Sequence, residues 1–137
     1  MTESGEGGCQ CGKVRYRIGA EPITLAACHC KECQRQSGSA FGMSLVVRGD
    51  DFELLSGELR DFVRSSDSGR TIRCAFCPDC GTRIYHEPTY MEGVLNVKAG
   101  TLDDTSTLEP ALHAWTGSKQ RWISLPEAAT CFEGQPG

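Results

Sequence analysis

The sequence has no run of lysines or arginines, no long apolar stretch, no internal repeat and no low-complexity tract. Its 14 basic residues are outnumbered by 18 acidic ones, so the formal net charge is −4 and the pI is about 5.3. A nucleic-acid binder presents a concentrated basic face, and that class is therefore disfavoured. No segment approaches the ~20 apolar residues that a membrane-spanning helix needs. The opening, Met1 to Gly8, is polar and glycine-rich and lacks the apolar centre of a secretion signal. These absences predict a cytoplasmic protein with neither nucleic acid nor membrane as partner. With 137 residues and no linker-like stretch, one domain spanning 1–137 is expected.

Cysteine, by contrast, is abundant, with nine in the chain. Cytosolic thiols are kept reduced, and an odd number cannot pair completely within one chain. All except Cys131 have only one or two residues between them and another cysteine. Such spacing crowds sulfurs around a point, as a tetrahedral zinc ion requires. The reading is metal ligation rather than a disulfide framework.

Between a Gly-rich start (Gly5, Gly7, Gly8) and a Gly134–Gly137 end, both expected to be loose, the dominant period is two. In Val14–Ile18 the residues Val14, Tyr16 and Ile18 face one way, and Arg15 and Arg17 the other. Similar runs recur at Ile23–Ala27, Phe41–Val47, Phe52–Leu55, Leu59–Val63, Thr71–Phe76, Arg83–His86 and Val94–Ala99. Turn residues separate them: Gly49-Asp50, Ser56-Gly57, Asp67-Ser68-Gly69 and Glu92-Gly93. One short helix is expected at Lys31–Ser37, ended by Gly38. The fold class is all-β, built from many short strands. Its core is modest for that number, so bound metal should supply part of the folding energy.

Cys9-Gln10-Cys11-Gly12 and Cys77-Pro78-Asp79-Cys80-Gly81 each offer two thiolates from a tight turn followed by glycine. Glycine there permits a positive φ and lets backbone N–H groups approach sulfur. Together the pairs complete a closed four-sulfur site with a structural role, against the alternative of two unrelated buried thiol pairs. Cys74 has the same gap to Cys77 as Cys77 has to Cys80, but Ile72, Cys74 and Phe76 share a strand face. Cys74 is read as a core thiol, and Cys131 as a bystander.

Cys28-His29-Cys30-Lys31-Glu32-Cys33 offers three thiolates in six residues. His29, between two ligands, should point away from the metal they share. Three ligands and an open position form a catalytic type of zinc site, and the alternative is closure by Cys74, His29 or an acidic residue. Three thiolates on Zn²⁺ carry net charge −1, which weakens carbonyl polarisation and water activation. A fourth, soft thiolate remains a good partner, and a thiol of pKa about 8.5 would ionise on binding. The local chemistry points to a thiol substrate.

Gly7-Gly8-Cys9-Gln10-Cys11-Gly12, Cys28-His29-Cys30-Lys31-Glu32-Cys33-Gln34-Arg35-Gln36-Ser37-Gly38-Ser39 and Phe76-Cys77-Pro78-Asp79-Cys80-Gly81-Thr82 resemble the glutathione-dependent formaldehyde-activating enzyme family. That family includes centromere protein V. Leu112-His113-Ala114-Trp115 and Trp122 extend the likeness over nearly the whole chain. The resemblance implies a zinc-clamped β-tent of short antiparallel strands. It implies a structural zinc on Cys9, Cys11, Cys77 and Cys80, and a catalytic zinc on Cys28, Cys30 and Cys33. It also implies a carbon–sulfur lyase-type activity that adds formaldehyde, or a related small aldehyde, to glutathione or another small thiol. Cys74 departs from the family pattern, and if it reached the second zinc it would close the open position. The competing reading is a non-catalytic zinc module or thiol-binding protein of the same fold. Glutathione carries two carboxylates, for which Lys31, Arg35 and Arg48 are candidate cations, although each reads first as a solvated surface charge. Trp115 and Trp122 read first as core or sheet-packing aromatics and second as pocket walls.

Overall fold

The computed structural model describes residues 5–65 and 69–136. Strands β1 (Gly5–Gly8), β2 (Arg15–Ile18) and β5 (Phe52–Ser56) form an antiparallel three-stranded sheet in the order β1-β2-β5. The larger sheet contains β3 (Thr24–Cys28), β4 (Gly42–Arg48), β6 (Arg60–Ser65), β7 (Thr71–Phe76), β8 (Arg83–Pro88), β9 (Val94–Lys98), β10 (Leu112–Ala114) and β11 (Thr130–Cys131). Its order is β11-β10-β3-β4-β9-β8-β7-β6. Each expected period-two run coincides with one of these strands. The pairings are antiparallel except at one edge, where β10 runs parallel to both β3 and β11.

The core lies between the sheets, because alternation sends one side of each strand inward. Val14, Tyr16 and Ile18 are fully buried, and they belong to one cluster with Leu45, Val47, Leu95, Val97 and Ile84. The Tyr16 ring stacks on Phe52 at 5.2 Å, and Phe52 meets Tyr85 edge-on at 5.2 Å. Tyr16 keeps its hydroxyl satisfied by a 2.7 Å hydrogen bond with Thr101 Oγ1.

The glycine-rich start is not a loose end. Gly5–Gly8 pairs residue by residue with Arg15–Ile18. A side chain at Gly7 would run into the Thr101 carbonyl and the Tyr16 hydroxyl, so position 7 is glycine because its neighbours come that close. The other end is tied down as well. Gly134 O accepts from the Trp115 N–H at 3.1 Å, and Gln135 Oε1 accepts from Trp115 Nε1 at 3.1 Å. Gly137 and the expected turn residues Asp67 and Ser68 lie outside the described residues.

Gly57, in the turn leading from β5 to β6, has φ +86°. A Cβ there would also sit 2.5 Å from Lys13 O and 2.9 Å from Val14 Cα, both rigid backbone atoms. Gly57→Ala is therefore expected to cost about 3 kcal/mol, from left-handed strain plus a clash that cannot relax. Gly93→Ala, at φ +77° with open space around the new methyl, should cost only the strain of about 1–2 kcal/mol. Urea denaturation of both variants measures the difference, and equal losses would show that the close approach at Gly57 contributes nothing.

Candidate metal centres and the adjoining cavity

The β1–β2 connection carries Cys9 and Cys11, and the β7–β8 connection carries Cys77 and Cys80. Their four sulfurs lie within 4.8 Å of one another, with Cys9 and Cys11 3.5 Å apart and Cys11 and Cys77 3.8 Å apart. A zinc tetrahedron with ~2.3 Å bonds has edges of about 3.8 Å, so the four thiols fit a zinc ion. Gly12 and Gly81 take φ +84° and +81°, as the sequence pattern requires. Backbone amides do approach the sulfurs: the Val14 N–H donates to Cys9 Sγ at 3.2 Å. The Thr82 hydroxyl, 3.2 Å from Cys80 Sγ, together with the N–H groups of Thr82 and Cys11, pulls the Cys80 thiol down to about 5. Thiolate, the form that binds metal, is favoured at Cys80 and Cys9, while Cys11 is raised by its sulfur neighbours, Cys9 foremost. The cluster also joins the small sheet to the large one.

The second cluster forms where β3 runs into helix α1 (Lys31–Ser37). Cys28 closes the strand, Cys30 is the helix N-cap and Cys33 lies in the first turn. Cys30 caps the helix with sulfur, accepting from the Cys33 N–H at 3.3 Å. The far end is a Schellman turn: Gly38 N–H donates to Arg35 O at 3.3 Å and Ser39 N–H to Gln34 O at 3.2 Å. The three sulfurs lie within 4.8 Å of one another, which again suits one metal ion. Hydrogen bonding from Cys28 and Cys33 lowers Cys30 strongly, while hydrogen bonding with Cys28 and Cys30 raises Cys33. Among the described residues, no histidine, carboxylate or further cysteine joins this set.

Two side chains considered as closing ligands are elsewhere. Cys74 is fully buried in β7, with its nearest hydrogen-bonding partner the Ile72 carbonyl at 4.0 Å. His29 is turned away, its Nε2 2.9 Å from His113 Nδ1 and its ring 5.1 Å from Phe41. Cys74→Ala should leave the metal content per chain unchanged. It should cost about 1–2 kcal/mol, since one small buried group replaces another. Metal analysis and a urea melt check this, and loss of one metal equivalent would make Cys74 a ligand.

Beside the cluster opens a cavity of about 720 Å³, within the usual range for small-molecule sites. Gln36, Phe41, Gly42, Arg83, Lys98 and Trp122 are among its walls. Lys31, Arg35 and Arg48 are exposed and line no part of it. Arg48 stands at the opposite end of β4 from Gly42, roughly 20 Å along the strand. The cations that do line the cavity, Arg83 and Lys98, carry no spacing signal. Alternation in β9 shows only that Lys98 faces away from Leu95 and Val97. Between these cations His86 is held neutral. Burial, reinforced by Lys98, Arg83 and Arg64, pushes its pKa down to about 3.

The tryptophans are not core residues. Trp122 is 72 % exposed and forms part of the cavity wall. It is held by Gln120, which accepts from Trp122 Nε1 at 2.7 Å and donates to Gln34 Oε1 at 3.3 Å. Trp115 is 36 % exposed and adopts a left-handed backbone at φ 58°. Each indole N–H finds a polar partner at the surface, so burial is not needed to satisfy it.

Residues 4–118 match the family model described as glutathione-dependent formaldehyde-activating enzyme. The chain belongs to that family. A curated Halomonas elongata protein that provisionally bears the name glutathione-dependent formaldehyde-activating enzyme is 25% identical over 139 residues. The match covers 96% of this chain and 88% of the Halomonas protein. A crystal structure of a Rhodobacter sphaeroides protein superposes with a TM-score of 0.58 at 20% identity. It covers 77% of this chain and 91% of the other, and supports the fold alone. In this family member, no helix among the described residues is long and apolar enough to cross a membrane.

Proposed function

We propose that this family member is a zinc enzyme that joins formaldehyde to glutathione, giving S-hydroxymethylglutathione, and that it catalyses the reverse carbon–sulfur cleavage. We take residues 1–137 as the catalytic domain. The observation that carries the reading is a three-sided cysteine cluster beside a cavity, in a chain of this family. Cys28, Cys30 and Cys33 would hold the catalytic zinc, and Cys9, Cys11, Cys77 and Cys80 the structural one. Zinc held by three thiolates supplies a soft fourth position at which a thiol of ordinary pKa ionises.

The chain's own contribution is to orient and to exclude. The cavity is large enough for a peptide-sized thiol, and Arg83 offers a cation to one of the glutathione carboxylates. Trp122 and Phe41 supply apolar walls that shield the reacting sulfur from water. Lys31 and Arg35, on the helix that bears Cys33, are outer contacts at most, because both are exposed.

The test is formaldehyde consumption with glutathione, measured against the spontaneous addition. Acceleration is expected with glutathione and none with S-methylglutathione, which has no ionisable thiol. Glutathione binding without acceleration would favour a thiol-binding module of the same fold.

A further inference from the structure

Two nitrogen donors, Lys98 Nζ and Gln36 Nε2, meet at Gly42 next to Cys33. Lys98 ends strand β9 opposite Ser44 of β4, and it lines the cavity. None of the ion pairs among the described residues includes it. Gln36, in the last turn of α1, lines the same cavity, and its Nε2 is buried without a hydrogen-bond partner. Both converge on Gly42. A Cβ at that position would stand 3.0 Å from Gln36 Nε2, 3.4 Å from Lys98 Nζ and 3.5 Å from Cys33 Cβ. Gly42 is also the register partner of Cys28. Two donors and a residue without a side chain therefore meet at one end of the cavity, with Cys33 just behind Gly42.

The buried Gln36 Nε2, left unmatched, costs about 1–3 kcal/mol. An oxygen arriving from the cavity would accept from it and from the Lys98 ammonium beside it. The reaction proposed above needs such a site, because three thiolates already leave the zinc with little power to polarise a carbonyl.

We propose that Lys98 Nζ and Gln36 Nε2 bind the aldehyde oxygen and stabilise the alkoxide that forms on it. The inference rests on the glutathione–formaldehyde reading and assigns its electrophile. The thiolate lone pair forms the carbon–sulfur bond, and the carbonyl π pair moves onto oxygen between the two donors. The alkoxide takes a proton from water, and the proton lost by the thiol passes to solvent. Thiol and aldehyde thus sum to the hemithioacetal with no oxidant or reductant. The interaction is strongest once charge develops, so it accelerates addition rather than merely holding substrate.

The test uses metal-loaded full-length protein with Lys98→Met, Gln36→Leu and Gly42→Ala. Metal content and calorimetric glutathione affinity, measured without aldehyde, are expected to match the wild type. At saturating glutathione, kcat should fall on the order of 10²-fold in Lys98→Met, the usual effect of losing an oxyanion donor. Gln36→Leu should fall in the same direction, and Lys98→Arg should keep part of the activity. Gly42→Ala places a methyl among the donors and should lower kcat even if Lys98→Met does not fold. Weakened glutathione binding with an unchanged kcat would overturn the inference and make Lys98 a carboxylate anchor. An active wild type with unimpaired variants would overturn this assignment alone. A wild type that does not accelerate the addition removes the assignment and the proposed reaction together.

Discussion

Cys77→Ser is expected to leave the chain largely unfolded at temperatures where the wild type is folded. Cys77 is fully buried, and its sulfur lies 3.8 Å from that of Cys11 across 66 positions of sequence. A zinc ion held by this cluster would tie the three-stranded sheet to the β7–β8 turn. A structural zinc contributes on the order of 10–16 kcal/mol of binding free energy, comparable with the ~5–15 kcal/mol net stability of a whole domain. Serine removes one thiolate and leaves a buried hydroxyl among three sulfurs. Thermal melts by circular dichroism, with metal analysis alongside, should show metal loss and unfolding together, and strong chelation of the wild type should reproduce both. A fully chelated protein with an unchanged melting curve would falsify the structural role.

Cys30→Ser should have the opposite profile: a folded protein with one metal equivalent missing and catalysis reduced to the spontaneous rate. The three-cysteine cluster lies at the end of one strand and the start of one short helix, so it ties no distant segments together. Serine at the N-cap can still accept from the Cys33 N–H, so helix α1 and the connection between the sheets are both retained. With cobalt in both clusters, glutathione should alter the thiolate-to-metal absorption of the wild type and release a proton as the thiol ionises. S-methylglutathione should do neither. In Cys30→Ser the glutathione response should vanish while the absorption of the four-cysteine site persists. A wild-type spectrum indifferent to saturating glutathione would point to a zinc module that binds no thiol at this cluster.

These contrasting outcomes trace back to how local each feature is. Strands β2 to β9 were legible because alternation is a property of neighbouring residues, and each buries one side against the core. Strand β1 was not, because Gly5–Gly8 carries a single side chain, that of Glu6, and pairs with Arg15–Ile18. Strands β10 and β11 span three and two residues and are held by parallel pairing, too short for any period to show. Helix α1 was legible from its length and from Gly38, although the cap is a thiol, a group not normally counted among capping residues.

Spacing pairs Cys9 with Cys11 and Cys77 with Cys80, but the two pairs meet only once the sheets have formed. The three-cysteine cluster belongs to the part that the residue order determines unaided, because one- and two-residue gaps crowd its thiols together, and its ligands could be written from spacing. The surroundings of the second cluster could not. Lys31 and Arg35 lie beside its cysteines in sequence, yet helix geometry turns them to solvent. Lys98 is 65 positions from Cys33, yet strand register brings it to the same point above Gly42. Cys74 and His29 were each near enough in pattern to close the site, and only their packing, in β7 and against His113, keeps them out. Ligand spacing acts along the chain. The charges and walls around a cavity come from strands paired across it, and that pairing exists only once the sheets have formed.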